Sequence, residues 1–194
     1  MKTIQEMRTF AKENKVPIVM DDALEIILEY IEEHKVKRIL EVGTAIGYSA
    51  IQMALVDDEI CIDSLEIDEE AYEEARRNIE DFKLEDRIQV HLVDAIEFET
   101  KKEFDLIFID AAKAQYPRHM KHFEGNLAED GVFIFDNLEF HGMVDHPWMT
   151  KNHRTQDLIR KLKTFRDGML DSKDYTVRYY KEIGDGLMLL RPKK

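Results

Sequence analysis

The stretch Tyr175-Thr-Val-Arg-Tyr-Tyr-Lys-Glu-Ile-Gly-Asp-Gly-Leu-Met-Leu-Leu190 decides the fold. Tyr175–Tyr180 alternates as a half-buried strand does, and Leu187–Leu190 is a second apolar run. The link between them ends Ile183-Gly-Asp-Gly186, a hairpin-type connection too short for a crossover helix. The last strand is therefore expected to insert antiparallel. Upstream the rhythm differs. Arg38–Val42, Ile60–Ile67, Ile88–Val93, Phe104–Ile109 and Gly131–Phe135 read as short buried strands. Between and before them run helical segments: Met1 to Asn14, a helix opening at Asp21-Asp22, Tyr48–Val56, Glu69–Phe82, Arg118–Asn126 and Thr155–Leu170. Val16-Pro17 breaks the first from the second, where Asp21 and Asp22 stand at an N-cap position. Strands alternating with helices imply right-handed crossovers and a parallel sheet covered on both faces. The expectation is one α/β domain over residues 1–194, with a seven-stranded, mostly parallel sheet and an antiparallel last strand. A dinucleotide-binding sheet would be parallel throughout.

Composition narrows the function classes. Of the 194 residues 44% are hydrophobic, enough for a sizeable core, and 36% are charged, against a usual figure of about 25%. No apolar run approaches the roughly 20 residues of a membrane helix, and Lys2, Glu6, Arg8, Lys12, Glu13 and Lys15 rule out a secretory signal in the first twenty. The lone Cys61 cannot form an internal disulfide, which suits a reducing cytosol, so a soluble cytoplasmic protein is expected. A net charge of −13 argues against nucleic acid, but the charge is uneven. Residues 1–147 hold 16 basic and 35 acidic residues, a net of −19, whereas residues 148–194 hold 12 and 6, a net of +6. The basic residues of Arg160–Arg166 either solvate a helix face or offer one side of the molecule to an anion.

In an open α/β sheet ligands bind beyond the carboxyl ends of the strands. The first such end reads Glu41-Val-Gly-Thr-Ala-Ile-Gly-Tyr-Ser49, where Gly43 and Gly47 permit a tight turn and Ser49 can cap or donate at the helix start. Its G-x-x-x-G spacing is not the G-x-G-x-x-G of nicotinamide enzymes. Glu66, about 20 residues on, suits bidentate bonding to ribose hydroxyls, with Asp68 the better helix cap. Asp94, after the third strand, either caps the next turn or accepts from an adenine amine. Strand four ends at Asp110 and strand five at Asp136-Asn137, so two carboxylates and an amide oxygen converge as a hard cation such as Mg²⁺ requires. Lys113 follows one turn past Asp110, as general base, anion anchor or exposed lysine. His119, His122, His141, His146 and His153 lack the cysteines and spacing of a zinc site. Tyr116, Phe140 and Trp148 are expected near the mouth, with Arg118, Lys121, Lys151 and Arg154 as candidate phosphate contacts.

EVGTAIGYSAIQMAL (41–55), LEID (65–68), VDA (93–95), FDLIFIDAAKAQY (104–116) and GVFIFDN (131–137), in this order, resemble the metal-dependent class I O-methyltransferases of the catechol and caffeoyl-CoA type over about residues 16–191. VPI (16–18), GTAIGYSAI (43–51), FIDAAK-x-QY (108–116) and GDGL (184–187) are similar to the bacterial tRNA 5-hydroxyuridine methyltransferases, which make 5-methoxyuridine at the wobble position. The resemblance implies the class I methyltransferase Rossmann-like fold. It also implies that Val19, Gly43, Ser49, Glu66, Asp94, Ala95 and Asp110 contact S-adenosylmethionine, that Asp110, Asp136 and Asn137 bind Mg²⁺, and that Lys113 is catalytic together with Asp110. It further implies tRNA as partner, met at the anticodon loop through the basic C-terminal face, and a homodimer. The alternative acceptor is a catechol-like or hydroxycinnamoyl small molecule. The chain begins later than its tRNA-modifying relatives, and Met149–Gln156 carries only Lys151, His153 and Arg154 where they are more densely basic.

Overall fold

A capping box starts the first helix: the Glu6 N–H donates to Thr3 Oγ1 at 3.2 Å, and the Thr3 N–H donates back to Glu6 Oε2 at 2.7 Å. This helix is α1 (Ile4–Asn14) in a computed structural model that describes residues 2–194; the expected helix start at Met1 lies outside the described residues. It is followed by α2 (Asp21–His34), β1 (Arg38–Val42), α3 (Tyr48–Ala54), β2 (Cys61–Glu66), α4 (Glu69–Asp81), β3 (Ile88–Leu92) and β4 (Phe104–Ile109). Then come α5 (Tyr116–Phe123), β5 (Leu127–Phe135), α6 (His153–Leu170), β6 (Tyr175–Tyr180) and β7 (Leu187–Pro192). The sheet order is β3-β2-β1-β4-β5-β7-β6. All pairings from β3 to β5 are parallel, while β7 runs antiparallel to both β5 and β6. The terminal hairpin therefore inserts as its sequence requires.

Side chains alternate between two cores, one on each face of the sheet. Leu106 and Phe108 of β4, Val132 and Ile134 of β5, and Leu187 and Leu189 of β7 pack with α1, α2 and α3. Ile107 and Ile109, Phe133 and Phe135, and Met188 and Leu190 pack with α5 and α6. Strands buried on both faces have no polar side to alternate with, which is why they read as continuous apolar runs.

Several boundaries differ from the sequence expectation. The N-cap of α2 is Met20, without a side-chain bond, so Asp21 and Asp22 lie in the first turn, where their charge favours the helix dipole. Helix α5 starts at Tyr116 rather than Arg118, with Pro117 in its first turn, where its missing N–H costs nothing. It ends at Phe123, and Glu124–Asn126 is a tighter turn. Strand β5 begins at Leu127, four residues before Gly131, because a register shift between Phe104 and Leu106 absorbs the extra length. Helix α6 begins at His153 rather than Thr155, since Asn152 caps the Arg154 and Thr155 amides at 2.9 and 3.2 Å.

Gly43 sets how closely the turn after β1 approaches β4. It has φ +105°, and a Cβ there would stand 2.2 Å from the Asp110 carbonyl oxygen. Gly43→Ala is therefore expected to cost about 3 kcal/mol or more, read as a shift in the denaturant midpoint.

Candidate functional site

The carboxyl ends of β1 to β5 open on one cavity of about 700 Å³. Val19, Gly43, Ser49, Glu66, Asp94, Ala95, Asp110, Lys113 and Asn137 all line it, so nine of the ten expected site residues share one wall system. The tenth, Asp136, is fully buried at the end of β5, between Phe135 and the lining Asn137. The roof is the segment from Pro17 to Met20, held down by α1. Arg8 donates to the Tyr48 hydroxyl at 2.6 Å and pairs with Asp21 at 2.7 Å, while Lys2 reaches Asn78 at 2.5 Å.

At one end of the cavity Glu66 accepts three backbone N–H groups. Its Oε2 takes Ala45 at 2.8 Å, and its Oε1 takes Ile67 at 2.8 Å and Asp68 at 2.9 Å. These bonds fix the carboxylate at the strand end and take three of its roughly four lone-pair sites, leaving one on Oε2 toward the cavity. Asp68 is the cap of α4, accepting from Ala71 at 2.8 Å, which leaves Glu66 without that duty. Asp94 accepts from the Ile96 N–H at 3.1 Å and is exposed to the cavity. His119, which the sequence reading treated only as an unlikely zinc ligand, lies buried in the same wall, and burial pushes its pKa down.

Ser49 borders the cavity, but its hydroxyl donates to Glu41 Oε1 at 2.5 Å. Ser64 donates to the other Glu41 oxygen and lies 2.6 Å from the Thr44 hydroxyl. Burial raises the Glu41 carboxyl to about 7, with Asp110 and Glu66 adding to the effect and the two serine hydroxyls opposing it. Glu41 is thus a site-floor residue that sequence reading missed. Its only sequence signal is an acid inside an otherwise apolar strand.

At the other end Lys113 Nζ donates to Asp110 Oδ1 at 2.7 Å. Asp136 Oδ1 accepts from the Asn137 N–H at 2.8 Å, whereas its buried Oδ2 has no partner. Burial and the neighbouring Asp110 push the Asp136 pKa up. An orphaned carboxylate oxygen, a second carboxylate and an amide, all hard oxygen donors, fit a cation such as Mg²⁺. Among the described residues no three His, Cys, Asp or Glu side chains form a metal-type cluster, so a site here depends on Asn137 as third donor. Asn137 stands at φ +57° and donates from Nδ2 to the Gly184 carbonyl at 3.2 Å, which leaves its Oδ1 free of that bond. Phe140, expected near the mouth, lines this wall, and His141 and Asp185, which were given no role in the site from sequence, complete it.

Two expectations need correction. Tyr116 is not at the mouth: it is fully buried, and its hydroxyl donates to the Asp136 carbonyl at 2.8 Å, because the early start of α5 turns it into the core. Nor do Arg160–Arg166 form a uniformly solvated face. Arg166 is buried and meets Glu139 at 2.5 Å, Asp145 at 2.7 Å and Asp167 at 3.0 Å. Arg160 and Lys163 pair with Asp157 and Asp167 on α6 itself, and Lys121 pairs with Glu124. Among the described residues no helix is long and apolar enough to cross a membrane.

A family profile described as O-methyltransferase matches residues 1–193. A Staphylococcus aureus structure described as a candidate caffeoyl-CoA O-methyltransferase superposes with a TM-score of 0.93 at 31% identity, covering 100% of this chain and 93% of that one. The O-methyltransferase AnkF of Aspergillus thermomutatus is 26% identical over 161 residues, 76% of this chain and 64% of its own length. A tRNA1(Val) (adenine(37)-N6)-methyltransferase of Flavobacterium psychrophilum is 40% identical over 115 residues, 58% of this chain and 47% of its own. The chain thus spans less than two thirds of the length of these curated relatives.

Glu41 also makes stability depend on pH. Its folded pKa, about 7, lies above the ordinary 4.5, so the folded state holds a proton that the unfolded state has lost. Its contribution is intact below about pH 4.5 and is lost as pH rises through 7. Glu41→Gln is expected to remove a decline on the order of 2–3 kcal/mol between pH 5 and 8, read as the difference between the two unfolding profiles.

Proposed function

The chain belongs to the O-methyltransferase family, and from that premise we propose that it moves a methyl group from S-adenosylmethionine to an acceptor oxygen with a hard divalent cation, Mg²⁺, at Asp110, Asp136 and Asn137. One observation carries the reading: a single cavity joins the diol-type carboxylate Glu66 to Asp110, Lys113 and Asn137, and directly behind Asn137 lies the buried Asp136, one of whose oxygens lacks a partner. When bound, S-adenosylmethionine supplies the electrophilic methyl and the cation lowers the proton affinity of the acceptor hydroxyl.

The chain's own residues do the rest. Glu66 holds the ribose hydroxyls and Asp94 accepts from the adenine amine, with Val19, Gly43 and Ala95 as close apolar or backbone walls. Ser49, spent on Glu41, meets the cofactor through its backbone and Cβ rather than its hydroxyl. Asp110 and Lys113 form the catalytic pair. The Lys113 ammonium, 2.7 Å from Asp110, needs only to turn to meet negative charge on the acceptor oxygen. The roof segment from Pro17 to Met20 keeps water from the methyl.

The acceptor we propose is 5-hydroxyuridine at the tRNA wobble position, whose O5 and O4 are vicinal oxygens, giving 5-methoxyuridine. Trp148 and Met149 support it, standing 72% and 59% exposed on the turn that leads to Lys151 and Arg154. Neither basic side chain has a carboxylate partner among the described residues. A second reading, a catechol-like or hydroxycinnamoyl acceptor, is favoured by the internal pairing of Arg160, Lys163, Arg166 and Lys181, which removes four cations from the basic face. A homodimer belongs to the proposal as well.

The test incubates tRNA that carries 5-hydroxyuridine with the protein, S-adenosylmethionine and Mg²⁺, and measures nucleosides by mass spectrometry. Chelator-sensitive gain of 5-methoxyuridine is expected. Transfer to a catechol without any gain in tRNA would select the second reading. Asp136→Ala is expected to lower transfer by about 100-fold or more while S-adenosylhomocysteine affinity, measured by calorimetry, changes less than about threefold.

A further inference from the structure

The tip of the terminal hairpin carries three consecutive left-handed residues, Gly184, Asp185 and Gly186, at φ +58°, +62° and +96°. The two glycines are dictated by space. A Cβ at 184 would stand 2.3 Å from that of Ala23 and 3.0 Å from Asp136 Oδ1, and one at 186 would stand 2.8 Å from the Glu139 nitrogen. Asp185 has no such excuse, since glycine would adopt its conformation at lower cost. Its carboxylate accepts the His141 N–H with both oxygens, at 2.8 and 2.7 Å, and is 10% exposed.

The neighbouring bonds point the same way. The Leu138 N–H donates to the Gly186 carbonyl at 2.9 Å, the Glu139 N–H to the Asp185 carbonyl at 2.7 Å, and Asn137 Nδ2 to the Gly184 carbonyl. The gripped loop is itself strained, with Asn137, Phe140 and His141 at φ +57°, +47° and +58°. Non-glycine residues hold such angles only where their surroundings over-determine them. This loop carries Asn137 and the cavity wall Phe140.

We propose that Asp185 is a positioning residue: by capping the His141 amide from the hairpin tip, it holds the strained loop 137–141 in place and so sets where Asn137 and Phe140 face the acceptor. The inference rests on the acceptor-site reading above for its catalytic consequence, though not for its structural one. The bond in question is a side-chain-to-backbone cap that one acceptor oxygen suffices to make, and its effect runs through the loop backbone rather than through contact with cofactor.

The test compares Asp185→Ala, which removes both acceptor oxygens, with Asp185→Asn, which keeps one and removes the charge. Amide exchange over residues 138–149 is expected to quicken by about tenfold or more in Asp185→Ala and to change little in Asp185→Asn. With a catechol and with 5-hydroxyuridine tRNA as acceptors, Asp185→Ala is expected to lose about 10- to 100-fold in kcat/KM for the acceptor, with S-adenosylhomocysteine affinity unchanged. His141→Gly relieves the φ strain at the capped residue, so the double variant should lose less, relative to His141→Gly alone, than Asp185→Ala loses relative to wild type. Unchanged exchange in Asp185→Ala, or an Asp185→Asn variant as impaired as Asp185→Ala, would overturn the proposal, because charge or nothing would then be what Asp185 supplies. If the wild type methylates neither acceptor while the exchange difference is present, the positioning role stands and the acceptor reading falls. An Asp185→Ala chain that does not fold leaves Asp185→Asn to decide: near-native exchange and turnover are required.

Discussion

The close approach of backbone to backbone at Gly43 and Asp110 is the constraint on which the site depends. Parallel strands deliver their ends to one edge, but they deliver them at sheet spacing, and a ligand needs the turns above them closer than that. A Cβ at Gly43 would lie 2.2 Å from the Asp110 carbonyl oxygen, far inside van der Waals contact, so the absence of a side chain is what lets the β1 turn lean over β4. The Gly43 N–H meanwhile bonds the Leu65 carbonyl at 3.0 Å, which ties the same turn to β2. Three strand ends, carrying Glu41, Glu66 and Asp110, are thereby locked into one arrangement.

The concentration of acid beneath that edge is unfavourable in isolation. Glu41 and Asp136 are both fully buried, and in each burial shifts the carboxyl toward its neutral form. Hydroxyl donors relieve Glu41, whereas Asp136 is relieved only on one oxygen. The contrast separates a structural carboxylate, whose partners are all present, from one whose surroundings are incomplete. Arg166 shows the opposite arrangement on the far side of the loop. Three carboxylates surround one buried guanidinium, joining the 139–145 segment to α6. A buried network of this kind adds little net stability, but removing one member is expensive, so it fixes geometry more than it strengthens the fold.

Much of this was legible in the sequence for a simple reason. Buried parallel strands read as apolar runs, and groups at their ends sit beside punctuating glycines, so Gly43, Glu66, Asp94, Asp110 and Asp136 could be placed without a structure. What escaped has an equally physical cause. His119 lines the site and Glu41 lies buried beneath it, both inside regular elements, where a single polar residue is only a weak signal. Asp185 gains its place only from pairing with a loop 44 positions earlier, which no local pattern reports. Tyr116 was misplaced because α5 begins two residues earlier than expected, about half a helical turn, which brings Tyr116 into the helix and onto its buried side. The burial of Arg166 depends on Glu139 and Asp145, whose approach is a tertiary fact.

The tip of the terminal hairpin also bridges nearly the full length of the chain, since the Gly184 N–H donates to Asp22 Oδ2 at 3.3 Å. Synthesis therefore presents the loop of residues 137–141 well before the clamp that holds it. At about 5–20 residues per second, the 44 positions from His141 to Asp185 correspond to about 2–9 s. During that interval the nascent sheet lacks its reversed strand, and the edge of β5 is open. The half of the cavity around Glu66 and Asp94 belongs to segments already emerged, whereas the half around Asn137 matures last. A chain on the ribosome would thus hold the Glu66 end of the cavity before the Asn137 end, which is fixed only once the tip from Gly184 to Gly186 has been made.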